Sequence, residues 1–181
     1  DMHRGSGVDE IPHSGKLHLL RNMVKMILFR IVKSLRFKKP VRVIRMSQSI
    51  QPNSPYPLKD HPSGYFFNAQ KGRVLREYQL VYITKGRGLF ASDTTPEKQV
   101  CKGRLMVLFP GQWHTYHPYQ QTGWNEYYIG FEGPVIDDML RGGFLSKDNQ
   151  ILEVGLNEEL VTLFSRALEI AEADKSEAKR S

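Results

Sequence analysis

Cysteines and long apolar runs are both scarce in this sequence, and each scarcity excludes a class of protein. The single cysteine, Cys101, rules out an intramolecular disulfide framework and any zinc site made of several cysteines. The longest early apolar run, Met26-Ile27-Leu28-Phe29, ends at Arg30, far short of the roughly 18 residues that a membrane-spanning helix needs. Apolar residues nevertheless make up 40% of the 181 residues, enough for the core of one domain with appendages.

Acidic residues are absent from one stretch of the chain, and this absence accounts for the net charge of +7. Residues 16–45 contain ten lysines and arginines and no aspartate or glutamate. Residues 46–181 carry 15 basic and 16 acidic side chains and are close to neutral. The charge excess is therefore local, and it does not indicate a domain that coats nucleic acid over its whole surface.

The basic stretch also has a helical pattern. Its apolar residues recur at steps of three and four with Lys and Arg between them, which is the spacing of one helix face. Such a helix suits a membrane surface, a nucleic-acid contact, or packing against its own domain or a partner. It is equally compatible with an upstream extension that is foreign to the native protein. The apolar positions are Leu17, Leu20, Val24, Ile27, Leu28, Ile31 and Leu35.

Beyond residue 45 the pattern changes twice. Four prolines between residues 46 and 64 predict an ordered arm. Residues 65–133 hold short β-type runs separated by Gly, Pro, Asp or Asn, which predict an antiparallel barrel or sandwich. Residues 134–181 predict helices, a short one over 135–140 and a longer one over 157–179 with Asn157 as its N-cap. The expected fold class is α+β: an N-terminal extension to residue 45, the arm, the barrel and a C-terminal helical region.

The segment Lys85-Gly86-Arg87-Gly88 lies between two of the β-type runs. Its glycine pair is similar to part of a phosphate-binding loop, but no strand-to-helix switch accompanies it and the Gly-x-x-x-x-Gly-Lys-Ser/Thr pattern is absent. Because glycine supplies the positive φ that tight turns need, the segment predicts a β-hairpin.

His114 and His117 are the pair most suggestive of a metal site. Residues three apart on a strand point to opposite faces, so both histidines could bind one metal only where the strand bulges or ends between them. A metal centre also needs at least three converging ligands, and Glu126 is the available third. A histidine hydrogen-bonded within a pocket is the preferred interpretation, and the sequence predicts no metal and no cofactor.

Aromatic and polar residues are concentrated between positions 113 and 131 and predict a ligand pocket. On one strand His114 and Tyr116 share a face, and on another Glu126 and Tyr128 share one. If both faces look into the barrel, they line a cavity with aromatic rings and a few hydrogen-bonding groups, which suits a small polar ligand such as a sugar. The other interpretation is that these side chains simply fill a small barrel. No Gly-x-Ser-x-Gly turn indicates a catalytic nucleophile.

Three segments, in this order, resemble the N-terminal sensor domain of AraC-type bacterial transcription regulators. The shared features are a strand before Gly-x-Gly, a Pro-Gly-x-x-His-x-Tyr turn, and a tryptophan-led strand that ends near Phe-x-Gly. The resemblance covers about residues 65–170 and implies a cupin-like (jelly-roll) β-barrel that binds a small effector, followed by helices that often dimerise. The segments are residues 76–88, 102–116 and 124–133.

The resemblance also implies which residues bind the effector. Arabinose-responsive members line their pocket with an aromatic residue of the His-x-Tyr turn and with alternate residues of the tryptophan-led strand. Glu126 stands where the sugar sensor has a histidine and Tyr128 where it has a tryptophan, which argues against arabinose itself but not against a polar ligand. The predicted ligand-binding set is Tyr116, Glu126, Tyr128, Trp124 and His114.

The partners follow from the same resemblance. A small-molecule effector and a second copy of the chain, bound through the C-terminal helices, are expected in the bacterial cytoplasm. Family members contact DNA through a C-terminal module with two helix-turn-helix units, and no such pattern precedes Ser181. We therefore expect sensing and dimerisation rather than catalysis. The alternative is a metal-dependent cupin enzyme that uses His114, His117 and Glu126, although the His-x-His pattern of metal-binding cupins is absent.

Overall fold

Eight strands and two long helices form the part of the chain that the computed structural model describes: residues 13–36, 42–56, 68–133, 137, 141–143 and 145–180. Every pairing between these strands is antiparallel. The helices are α1 (His13–Arg36) and α2 (Glu158–Arg180), and the strands are β1 (Arg42–Ile50), β2 (Arg73–Val74), β3 (Tyr78–Ser92), β4 (Lys98–Cys101), β5 (Arg104–Leu108), β6 (Trp113–Pro118), β7 (Trp124–Glu132) and β8 (Ile151–Glu153).

The strands form two sheets that share one member. The first sheet has the order β1-β7-β3-β5-β8, and in the second β2 pairs with β6, β6 with β3, and β3 with β4. With 15 residues, β3 is long enough to take part in both. The result is an antiparallel barrel of the jelly-roll type followed by a helix. The predicted α+β fold class is confirmed, and α1 is the helix expected in the basic stretch.

The predicted hairpin at residues 85–88 is wrong, because β3 continues through this segment. The register of β3 against β7 shifts between Ile83 and Lys85, where the strand bends from the first sheet into the second. Gly86 has a φ of 83°, and a Cβ atom there would lie 2.1 Å from the carbonyl oxygen of Gly123. Glycine is required here because two backbones approach closely at a bend, and not because the chain reverses.

Side chains alternate between the two faces of each strand, and this alternation divides the apolar residues into two clusters. One lies inside the barrel, where the inner faces of the two sheets meet, and it includes Val81, Ile83, Phe90 and Met106. The other lies on the outer face of the first sheet, beneath both helices. It includes Leu28, Leu80, Tyr82, Leu105, Ile129, Phe131, Leu160 and Phe164.

Both helices cover the first sheet with their apolar stripes. Phe164 of α2 is fully buried and stacks on Tyr82 with ring centroids 6.0 Å apart. An ion pair of 2.9 Å joins Lys25 to Glu159, but the Glu159 side chain is 75% exposed, so the pair contributes little to stability. The apolar face of the basic helix is thus used for packing within its own domain. Neither described helix has a stretch long and apolar enough to cross a membrane.

One expected boundary falls within a strand. Strand β1 crosses the division expected between residues 45 and 46, because residues 42–50 pair as one edge strand with β7. Residues 57–64 of the expected arm lie outside the described residues, as does nearly all of the short helix expected over 135–140.

Asn157 caps α2, as the sequence predicts. Its Oδ1 accepts a hydrogen bond from the Leu160 amide at 3.2 Å, and Glu158 and Glu159 follow in the first turn. We expect Asn157→Ala to lower the free energy of unfolding by about 1 kcal/mol, as measured by urea denaturation. Asn157→Asp keeps the acceptor and should stay near the parent protein; an equal loss in both variants would contradict the capping role.

Candidate functional site

All five residues of the predicted ligand-binding set face the interior of the barrel. His114 and Tyr116 in β6, and Trp124, Glu126 and Tyr128 in β7, are each at most 3% exposed. The residues between them in each strand are more exposed or pack on the outer face. The alternation of side chains along a strand therefore predicts correctly that these residues face inward. The folding of the two strands into one barrel brings them close together.

Glu126 is a carboxyl group in the middle of this interior. Its Oε1 accepts a hydrogen bond from Gln48 Nε2 of β1 at 2.8 Å, and its Oε2 accepts one from the Tyr56 hydroxyl at 3.1 Å. Burial raises the pKa of Glu126 to about 7, against the lowering effect of these hydrogen bonds, the Trp124 indole and the charge of Arg73. Near neutral pH the group is present in both forms, so it can accept a hydrogen bond from a ligand or donate one.

Tyr56, which the sequence analysis does not single out, enters the same interior from the arm that follows β1. Its ring centroid lies 5.9 Å from that of Trp124, edge-on, and 6.3 Å from that of Tyr116. Burial raises the pKa of Tyr56 well above its usual value near 10, so its hydroxyl stays protonated and donates to Glu126. The one sequence signal that could have indicated it is an aromatic residue between two prolines in an otherwise polar arm.

Arg73 of β2 is the second residue that the sequence analysis missed. Its guanidinium donates to His114 Nε2 at 3.0 Å, to the Tyr116 hydroxyl at 2.8 Å and to Gln79 Oε1 at 3.4 Å. Because Nε2 of His114 accepts, its Nδ1 carries the hydrogen, 3.3 Å from the carbonyl oxygen of Gln112. Burial, followed by the charge of Arg73, lowers the pKa of His114 to about 3, so the imidazole is neutral. His114 and Tyr116 thus hold the guanidinium in one orientation.

Two buried N–H groups of the interior have no hydrogen-bond partner in the described structure. They are Nε2 of Gln79 and Nε1 of Trp124, on side chains that are 0% and 1% exposed. The Trp124 indole is near enough to Glu126 to lower its pKa, but it does not make a hydrogen bond of normal geometry. An unpaired buried donor costs about 1–3 kcal/mol and is uncommon in native proteins. These donors mark places where an oxygen atom of a ligand would be bound favourably.

A cavity of about 980 Å³ lies next to this interior, against the outer face of the second sheet. Leu89, Thr115 and His117 line it, and they alternate along their strands with inward-facing side chains. None of the five predicted residues is among its described lining residues. Three residues belong both to this lining and to the inner cluster: Ile50, Tyr56 and Phe90. They form the wall between the cavity and the barrel interior.

The structure does not assemble the metal site of the alternative hypothesis. His117 lines the outer cavity, whereas His114 and Glu126 lie inside the barrel and have hydrogen-bond partners there. Among the described residues, no group of three His, Cys, Asp or Glu side chains could hold a metal ion. The two histidines lie on opposite faces because β6 runs regularly between them.

A family model described as AraC-like ligand binding domain matches residues 56–181. The matched region contains the barrel from β2 onward and all of α2, and it leaves α1 and β1 outside. A search of curated proteins found no match.

Solved structures give a weaker similarity. A crystal structure of a Bacillus halodurans protein is 14% identical, with 52% of this chain and 64% of that chain covered and a TM-score of 0.34. A Cupin 2 conserved barrel domain protein from Salinispora arenicola is 14% identical, with 56% and 84% covered and a TM-score of 0.34. An oxalate decarboxylase variant from Bacillus subtilis is 14% identical, with 56% and 24% covered and a TM-score of 0.34. The chain thus spans just under two thirds of the first of these, and scores this low carry no argument about function.

Proposed function

The chain belongs to the AraC-like ligand-binding domain family, and we propose that its barrel binds a small polar, sugar-like effector as the sensing part of a bacterial transcription regulator. The observation that carries this proposal is the surroundings of Glu126: a buried carboxyl group beside two aromatic rings, close to a guanidinium and to an unpaired indole N–H. Such a mixture of ring faces and converging polar groups suits a compound with several hydroxyl groups.

Each side chain has a proposed part in binding. The rings of Trp124 and Tyr116, with centroids 6.2 Å apart, offer faces for the apolar side of a sugar-like ring. Glu126 accepts a hydrogen bond from a ligand hydroxyl, and Arg73 donates to a ligand oxygen. His114 acts through Arg73, whose orientation it fixes. Tyr128, which lies two residues from Glu126 on the same face of β7, closes the site along the strand.

Sensing would proceed by a shift between two arrangements of the arm and of α2. A ligand can favour one arrangement only if it binds that one more tightly. Support comes from the arm, because Tyr56 and Gln48 both donate to Glu126, so a ligand that takes the carboxyl group removes two contacts that hold β1 and the arm. We place the sensing event in the bacterial cytoplasm, and we propose regulation rather than catalysis.

Dimerisation through α2 and DNA contact through a further module complete the proposal. Leu163, Leu168 and Ile170 of α2 are only half-buried, so part of their apolar surface is left for a partner. Sedimentation equilibrium of the chain checks the dimer, and a monomer at every concentration would count against it. Contact with DNA is assigned to the further module and not to the barrel, whose part of the sequence is nearly neutral.

Ligand binding is testable with conservative variants of the interior. A thermal-shift screen of monosaccharides and other small polar compounds should give a stabilising compound. Glu126→Gln should weaken its binding at least tenfold, because a hydrogen bond to a charged group is worth about 1.5–3 kcal/mol. Tyr128→Phe should weaken it less. Isothermal titration calorimetry measures both.

Tyr127→Phe is the matched control for Glu126→Gln and Tyr128→Phe. Tyr127 lies between these two residues in β7, but it packs on the outer face of the sheet against Phe164. The control variant should leave the affinity unchanged. A compound that binds Glu126→Gln and Tyr128→Phe as tightly as the parent protein would show that the interior is not the site.

A further inference from the structure

Tyr56 lies where a ligand of this barrel would lie. Its ring is edge-on to Trp124 and tilted against Tyr116, and its hydroxyl group is 3.1 Å from the carboxyl oxygen of Glu126. A ring held by aromatic neighbours, with one hydroxyl directed at a buried acceptor, is the arrangement expected of a bound hydroxylated compound. The part of the site that the strands build is therefore occupied by a side chain from outside the strands.

In residues 51–56, the part of the arm beyond β1 that the structure describes, few backbone hydrogen bonds reach the rest of the domain. After β1 ends at Ile50, residues 51–56 form no strand, and the Asn53 amide donates to the Gln120 carbonyl at 2.8 Å. The Ser54 amide closes a turn on the Gln51 carbonyl at 3.2 Å. Within residues 51–56, withdrawal of Tyr56 thus breaks no strand pairing, in contrast to any movement of Tyr116 or Trp124.

Space for the withdrawn ring and for an incoming ligand is present on the other side of the arm. Tyr56 also lines the 980 Å³ outer cavity, together with Ile50 and Phe90. Because Tyr56 lines the cavity and also contacts the buried carboxyl group, withdrawal of its side chain would connect the cavity to the space beside Glu126 that the ring now fills. A ligand would then reach Glu126 from the cavity without opening either sheet.

The unpaired donors define what the ligand offers besides a ring. Trp124 Nε1 and Gln79 Nε2 need acceptor oxygens, whereas Glu126 in its ionised form needs a donor. The phenol hydroxyl of Tyr56 supplies the donor that Glu126 needs, but it supplies no acceptor to Trp124 Nε1 or Gln79 Nε2. A hydroxyl group both donates and accepts, so a compound with two or more hydroxyls on a ring meets both needs.

We propose that Tyr56 is an internal occupant of the effector site, and that the effector is a neutral ring compound with at least two hydroxyl groups that displaces it from Glu126. This proposal rests on the proposed function, since it names the class of effector and the group with which that effector competes. The apparent affinity of the parent protein equals the affinity of the open site multiplied by the fraction of molecules in which Tyr56 is withdrawn, so a small fraction weakens binding strongly.

The test uses a probe that replaces the deleted side chain. Tyr56→Ala removes the ring and hydroxyl, and 4-methylphenol has the same ring and hydroxyl group, with a methyl group in place of the Cβ methylene. We expect Tyr56→Ala to bind 4-methylphenol with one site in isothermal titration calorimetry, at least tenfold more tightly than the parent protein does. Toluene, which lacks the hydroxyl, should bind the same variant about tenfold more weakly, and Glu126→Gln in the Tyr56→Ala background should reduce that difference.

Tyr119→Ala is the matched control, because Tyr119 also lines the outer cavity but is not among the residues in contact with Glu126. It should gain no affinity for 4-methylphenol. Equal binding of 4-methylphenol to the parent protein and Tyr56→Ala, or no binding to the folded variant, overturns the proposal. If Tyr56→Ala does not fold, Tyr56→Phe decides: it keeps the ring but loses the hydrogen bond, so 4-methylphenol should bind it more tightly than the parent protein, and no gain overturns the proposal.

Failure of this proposal is distinguishable from failure of the proposed function. Suppose that the parent protein binds a sugar-like compound through Glu126, while Tyr56→Ala gains no affinity for 4-methylphenol. The proposed sensing function is then supported, and the proposal that Tyr56 occupies the effector site is wrong. Suppose instead that Tyr56→Ala binds 4-methylphenol, while no small polar compound stabilises any form of the protein. Tyr56 then does fill a binding site, and the proposed sensing function is wrong.

Discussion

Arg73→Met is expected to lower the free energy of unfolding by about 3–5 kcal/mol and to abolish effector binding. Methionine is unbranched and has no donor, so His114 Nε2, the Tyr116 hydroxyl and Gln79 Oε1 each lose the N–H group that they now face. A buried polar atom left without its partner costs about 1–3 kcal/mol, and His114 and Gln79 lose their partners together with one of the interactions of Tyr116. Urea denaturation followed by circular dichroism measures the change.

One further variant separates the charge of Arg73 from its geometry, and a second, at Arg76, is the control. Arg73→Lys keeps the charge but cannot reach three acceptors with a planar fork, so its loss should be intermediate. Arg76→Met removes an exposed arginine three residues later and should change stability by less than about 0.5 kcal/mol. A loss in Arg73→Met no larger than that in Arg76→Met would mean that the guanidinium does not organise the interior. The pKa of His114 should rise in Arg73→Met, because the neighbouring positive charge is gone.

Glu126→Gln is expected to stabilise the protein progressively as the pH rises. The pKa of Glu126 is about 7 in the folded protein because of burial, against an ordinary value of 4.5. Between these values the folded chain binds more protons than the unfolded chain, so the contribution of this group to stability falls as the pH rises and is fully lost above about pH 7. At about 1.4 kcal/mol per pKa unit, the difference between variant and parent should grow by on the order of 3 kcal/mol from pH 4.5 to pH 8.

The difference between the two proteins must be measured, because His114 acts in the opposite direction. Burial lowers its folded pKa to about 3 from an ordinary 6.5, so its contribution to stability is lost as the pH falls from about 6.5 towards 3. Among the described residues, Glu126 faces Gln48, Tyr56, Tyr116, Trp124 and Arg73, and of these five only Arg73 is charged. Urea denaturation at several pH values gives the profile. A difference that stays constant across this range would show that Glu126 titrates as an exposed carboxyl group does.

The inward face of the site was predictable because a strand alternates its side chains with a period of two. That rule alone places Glu126 and Tyr128 on one face of β7 and His114 and Tyr116 on one face of β6. It also predicts that His117 points away from His114, which is what the structure shows. The strand types and the capped C-terminal helix follow from equally local patterns.

The missed residues depend on pairings that no local pattern encodes. Arg73 belongs to a strand of two residues, and it reaches the interior only because β2 pairs with β6. Tyr56 and Gln48 come from the arm and the edge strand, segments whose sequence neighbours say nothing about Glu126. The hairpin expected around Gly86 was wrong for a related reason, since a turn and a bend need the same glycine and differ only in what the flanking residues pair with.

The packing of α1 beside α2 has a consequence for the order in which the chain folds. The side chain of Arg21 in α1 donates to the carbonyl of Val154, 133 positions along the chain. The entropy of closing so long a loop has to be overcome before the contact can contribute, so such contacts slow folding. Pairings within the barrel such as β3 with β5 join much nearer segments. We therefore expect α1 to dock late, so that a fluorescent label on this helix would report the last phase of folding and the first phase of unfolding.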